Sequence, residues 1–222
     1  MSISENLKNI SSSLPGNVTL VAISKFHPNE SIEEAYAAGQ RIFGESYEQE
    51  LSQKQKTLPT DIQWHFIGHL QSNKVKYIAP YISLIHSVDN AKLLKEINKQ
   101  AAKNGRTIDC LLQLHVAKEE TKYGFFEDEF EEFLDSEAFA QMENVRITGI
   151  MGMASNTDDE ARIREDFKKL KSVFDKAKAT KFKDKDYFNI LSMGMSGDYE
   201  IAIEEGSNMV RIGSAIFGPR QY

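Results

Sequence analysis

Cysteine is almost missing. The 222 residues hold one, Cys110, so no intramolecular disulfide can form, which suits a reducing compartment. Cys110 sits in the apolar run 108–112 and reads as core filler, not a nucleophile. A basic excess is missing too: the net charge is -6, which argues against a nucleic-acid partner. The pairs Lys54/Lys56 and Lys74/Lys76 are read as solvated helix surface. No apolar run is long enough to span a membrane, and residues 1–14 lack the basic and apolar regions of a signal peptide. A cytoplasmic protein without a membrane partner is expected. Linkers, low-complexity tracts and composition shifts are also lacking, so one domain is expected over 1–222.

What is there is a repeated strand and helix. Ile3, Leu7, Ile10 and Leu14 recur at helical spacing, which predicts an amphipathic opening helix over about 2–13. Apolar runs predict strands at 20–24, 41–43, 62–66, 84–88, 108–116, 145–151, 187–191 and 209–212. Helices are expected over 31–38, closed by Gly39, and over 47–56. The next carries Leu93, Leu94, Ile97 and Ala101 and ends at Gly105. Others carry Phe130, Phe133 and Leu134, or Phe167, Leu170, Val173 and Phe174. The latter is capped by Thr157 or Asp158, and a short helix follows at 199–205. Eight such units predict an α/β fold, a parallel (β/α)₈ TIM barrel, in preference to an open doubly wound sheet. Function in that fold gathers at the C-terminal strand ends.

Lys25 stands at the first of those ends. A lysine walled by apolar groups and a second cation gives up its proton more readily, and a neutral amine can attack an aldehyde. After the last two strands come Ser196-Gly197 and Gly213-Ser214. Glycine lets a backbone approach a ligand and serine adds a hydroxyl, so these loops read as a phosphate cradle. Arg211 lies inside the last strand. If buried it needs an acceptor: a heteroaromatic nitrogen, Glu45 or Asp89. His65, His86 and His115 fall near strand ends, and His65 and His69 are four apart. That spacing favours a metal only on a helix, and this segment runs from strand into turn, so no metal is expected.

Several segments together resemble one family. They are 21–25 (VAISK), 43–47 (FGESY), 64–74 (WHFIGHLQSNK), 191–196 (LSMGMS) and 210–218 (VRIGSAIFG). The sequence is similar to the pyridoxal phosphate homeostasis protein family from about Leu20 onward. The resemblance implies a fold-type III barrel like the N-terminal domain of alanine racemase, with pyridoxal 5'-phosphate (PLP) as cofactor. It implies a Schiff base on Lys25, phosphate contacts at Ser196, Gly213 and Ser214, and the pyridine nitrogen near Arg211. Ser46, His65, Met193 and Gly197 complete the expected cofactor set. The implied role is intracellular PLP supply and amino-acid balance, without established turnover and with PLP-dependent apoenzymes as recipients. Two positions depart from the family, which usually has Asn at Ser46 and often at His115; both lie near the expected cofactor.

An arginine donor leaves the ring nitrogen unprotonated and weakens the electron sink. Racemisation would then need a second acid or base, with Tyr47 or His115 as candidates. The chain reaches Tyr222 directly after the eighth unit, so no added β-domain is expected to supply one. A monomeric PLP carrier is therefore expected, ahead of a low-activity PLP-dependent racemase or lyase. A third alternative is a sugar-phosphate isomerase using Glu45 as base.

Overall fold

The computed structural model describes residues 2–119 and 123–219. The expected domain bounds, 1 and 222, lie outside them. Eight strands form a closed parallel barrel in sequence order: β1 (Thr19–Ile23), β2 (Ile42–Glu45), β3 (Gln63–Phe66), β4 (Leu84–Val88), β5 (Ile108–Gln113), β6 (Val145–Met151), β7 (Ile190–Met195) and β8 (Met209–Ile212). The barrel closes where β8 pairs with β1, setting Val21 beside Arg211. The eight-unit barrel expected from the sequence is the fold observed.

Helices occupy the outer ring: α1 (Ile3–Ser13), α2 (Asn29–Ala37), α3 (Glu48–Thr57), α4 (Val75–Ile78), α5 (Ala91–Lys103), α6 (Glu127–Asp135), α7 (Glu137–Ala140), α8 (Glu160–Ala179), α9 (Tyr199–Glu204) and α10 (Ser214–Phe217). The opening helix forms as its spacing predicts. Ser2 and Glu5 make a reciprocal capping box, and Leu7 and Ile10 are buried. It docks on the far end of the chain, where Asn6 donates to the Ile216 carbonyl at 3.0 Å.

Side chains alternate across each strand. Val21, Ile23, Leu84, Leu111, Met151 and Met209 form a small inner cluster. Leu20, Ala22, Phe43, Phe66, Ile85, Leu112, Ile150, Leu191 and Ile212 join the larger core under the helices. Runs apolar on both faces are what this arrangement demands. At Gly149 the strands approach so closely that an added Cβ would lie 1.7 Å from the Ile190 carbonyl oxygen.

Four expectations are corrected. The seventh strand runs over Ile190–Met195, not 187–191. Phe188 belongs to an aromatic stack with Phe174 and Phe182, while the strand itself places Ser192 against Arg211. The fifth strand stops at Gln113. Beyond it Leu114 makes only an isolated bridge to Phe125. The N-cap of α8 is Asp159, whose carboxylate accepts from Ala161 and Arg162, not Thr157 or Asp158. Lys54 is not surface: it is 5% exposed. No helix of the described residues is long and apolar enough to cross a membrane.

Candidate cofactor site at the mouth of the barrel

The alternation that fills the barrel also aims its last residues. Lys25 extends the inward series Val21, Ile23, and Arg211 extends Met209. Both line one cleft of about 800 Å³ at the C-terminal strand ends, within the usual range for a small-ligand site. Ser46, Ser196, Gly197, Gly213 and Ser214 line the same cleft. Seven of the nine expected site residues therefore meet in one place. His65 and Met193 are not among its lining residues. Both are buried, Met193 in the core under the helices and His65 inside the barrel.

The loops after β7 and β8 are joined by the Gly213 amide, which donates to the Ser196 hydroxyl at 3.3 Å. The backbone N–H groups of Gly197, Ser214 and Ala215 make no hydrogen bond to another described residue. A Cβ on Gly213 would sit 3.3 Å from Ile23, so the backbone lies close against β1. The resulting set of unsatisfied donors and hydroxyls suits a multiply charged anion.

Arg211 is buried, and its guanidinium donates to the Ser192 carbonyl (2.9 Å), the Ser192 hydroxyl (2.7 Å) and the Gly152 carbonyl (3.0 Å). Neither Glu45 nor Asp89 reaches it, contrary to two of the acceptors expected; they pair with Lys54 and His69. Burial lowers its pKa to about 10, so it stays protonated near neutrality. It thus puts a fixed positive charge, with no carboxylate ion pair among the described residues, beside the cleft. Behind it a polar chain crosses the barrel, from the Ser192 hydroxyl to His86 Nδ1 (3.1 Å) and from His86 Nε2 to His65 Nδ1 (3.0 Å). Burial pushes His65 down to about 3 and His86 well below its usual range, so both rings are neutral. His65 therefore braces the floor of the site instead of lining it.

Two clusters escaped the sequence reading. The first lies outside the strands, under α3. The Lys54 ammonium donates to the Ser24 carbonyl (2.8 Å), Glu45 Oε1 (2.8 Å) and Glu50 Oε1 (2.7 Å), while the Ser24 hydroxyl donates to Glu45 Oε1 at 2.6 Å. Glu45 Oε2 is buried without a partner, and burial pushes the Glu45 carboxyl up to about 7. Glu45 is thus engaged behind the strands and absent from the cleft lining, against its reading as a sugar-phosphate base. Phe26 takes a left-handed backbone, φ +64°, which costs a bulky residue about 1–2 kcal/mol. The second cluster is at the cleft's outer end. His69 Nδ1 meets Asp89 Oδ2 at 2.9 Å, and the His69 ring stacks on Tyr123 with centroids 3.9 Å apart. His69 and Asp89 follow different strands, so only the closed barrel shows that they meet. Among the described residues no three His, Cys, Asp or Glu groups gather as a metal site.

A sequence model of the alanine racemase N-terminal domain matches residues 1–221. Among curated relatives, the pyridoxal phosphate homeostasis protein of Aquifex aeolicus is 39% identical over 208 residues, covering 91% of this chain and 87% of that one. The chain belongs to the pyridoxal phosphate homeostasis protein family. The family's Vibrio alginolyticus member is 37% identical and covers 100% of this chain and 99% of its own. Among solved structures, PipY of Synechococcus elongatus with PLP bound superposes with a TM-score of 0.88 at 34% identity, covering 98% of this chain and 100% of that one. Alanine racemase from Bartonella henselae, 15% identical with a TM-score of 0.73, shares the fold over 98% of this chain and 58% of its own. Homeostasis-family members and racemases thus share one barrel, and this chain covers 87% and 99% of the two homeostasis-family relatives but 58% of the racemase.

Proposed function

We propose that the chain binds pyridoxal 5'-phosphate and serves its supply within the cell. The observation that carries this reading is the convergence of an amine, a buried guanidinium and an anion cradle on one cleft. The PLP-bound PipY relative supports it. When bound, the cofactor supplies an aldehyde carbon to which an amine can add. Lys25 presents that amine. The N–H groups of Gly197, Ser214 and Ala215 and the Ser196 hydroxyl would hold the phosphate, with Gly213 tying the two loops together through its own N–H. Arg211 keeps its own proton, because its partners in the barrel wall are all acceptors, and would serve as the donor to the ring nitrogen. Ser192, His86 and His65 hold the guanidinium in place from below.

The proposed role is that of a monomeric cytoplasmic carrier that passes the cofactor to PLP-dependent apoenzymes. The test is borohydride reduction of the loaded protein and peptide mass mapping. The pyridoxyl mass is expected on Lys25; finding it on another lysine, or on none, overturns the assignment.

The His69–Asp89 pair favours a second reading, a slow racemase or lyase, because a carboxylate-oriented imidazole at the cleft is an acid/base group. Incubation with L-alanine and chiral analysis separates the two: efficient loss of chirality would establish turnover.

A further inference from the structure

Lys25 is held by a cluster that does not line its cleft. The side chains of Ser24 and Glu45 share the outward parity of Ala22 and Phe43, so they point under α3 while Lys25 points into the mouth. The backbone is tied on both sides of Lys25, at Ser24 and at Phe26. The Ser24 N–H donates to the Gly44 carbonyl at 3.1 Å, which ends the β1–β2 ladder. The Ser24 carbonyl accepts from Lys54 Nζ at 2.8 Å and from the His27 N–H at 3.1 Å. One residue beyond Lys25, the Phe26 N–H donates to Glu50 Oε1 at 2.7 Å. That oxygen also accepts from Lys54 Nζ at 2.7 Å. A single ammonium and a single carboxylate thus bridge the residues on either side of Lys25.

The turn needs such a clamp. Phe26 sits at φ +64°, a backbone region that favours glycine, and holds there only if surroundings over-determine it. Lys54 is buried and Glu45 fully so. Hydrophobic side chains of the same size would fill the space at least as well, so a buried lysine and glutamate, joined by the half-buried Glu50, call for another reason to be there.

We infer that Lys54, Glu50 and Glu45 are positioning residues for the Lys25 amine, fixing the turn that aims it at the anion cradle without touching the ligand. This rests on the proposed role of Lys25. Positioning lets amine and cradle engage one ligand together, and its loss should lower covalent capture while leaving the cradle intact.

The test uses the full chain freed of cofactor and two ligands. PLP carries the aldehyde and reports capture, read as the rate of borohydride-trapped adduct on Lys25. Pyridoxine 5'-phosphate carries an alcohol at that position and reports the cradle alone, read by calorimetry. Glu50→Ala is expected to slow capture about tenfold or more and to leave pyridoxine 5'-phosphate affinity within about twofold. E50Q, which retains a carbonyl acceptor for the Phe26 amide, should restore most of the capture rate. If E50A does not fold, E50D withdraws the oxygen from that amide while keeping the charge, and the same ratio is read. Capture and affinity falling together, or neither changing, overturns the inference. Failure of wild-type Lys25 to capture PLP would instead overturn the proposed function.

Discussion

Replacing Glu45 by glutamine tests whether burial governs the cluster behind β1. The side chain is fully buried, and desolvation lifts its pKa from 4.5 to about 7 against the opposing pull of Lys54. That displacement corresponds to about 3.4 kcal/mol of preference for the neutral form. In the window between the two values the folded chain holds a proton that the unfolded chain releases. The contribution to stability is therefore complete below pH 4.5 and is lost as the pH climbs to about 7. From pH 5 to pH 8 the loss should come to about 2.5 kcal/mol. Glu45→Gln preserves shape and an acceptor for Lys54 and Ser24 but has no proton to release. Urea unfolding of both proteins across that range gives the difference in stability, in which carboxylates elsewhere cancel. Wild type should lose ground to E45Q steadily as the pH rises. A flat difference, or one of opposite slope, would refute the reasoning, because the Lys54 and Ser24 bonds would then outweigh desolvation.

Two further outcomes are expected. Gly149→Ala should destabilise the barrel by about 3 kcal/mol or more, since its methyl would collide with the Ile190 backbone; a change below about 1 kcal/mol in urea unfolding would contradict the close approach of β6 and β7. Ser192→Ala should cost about 1–3 kcal/mol, because His86 Nδ1 loses its buried partner while Arg211 keeps two carbonyls; an unchanged unfolding midpoint would show that the polar chain contributes nothing.

The barrel was legible because its evidence is local. Apolar runs of strand length, punctuated by glycine and polar helices, need no knowledge of partners. The seventh strand begins three residues later than its pattern suggests for a related reason: Phe188 looks like a strand residue by type, yet it packs under the helices, and the strand proper interrupts its apolar run with Ser192, which meets Arg211. The cleft residues were legible as a gathering of amine, guanidinium and glycine–serine loops at strand ends. Lys54 was misread because a charged helix with one buried leucine resembles surface, and its partners Ser24 and Glu45 lie on other elements. The His86–Ser192 contact joins residues 106 apart. Such pairs depend on how the sheet closes, which no window of sequence contains.

The pairing of β8 with β1 has a consequence for assembly. Lys25 follows the first strand and Arg211 lies in the last, and they come to line one cleft only when this last seam is sewn. A ribosome must therefore have made every strand from β1 to β8 before any ligand-competent pocket exists. A molecule gripped on both sides of the join would rivet first strand to last, so occupancy should resist unzipping from either terminus.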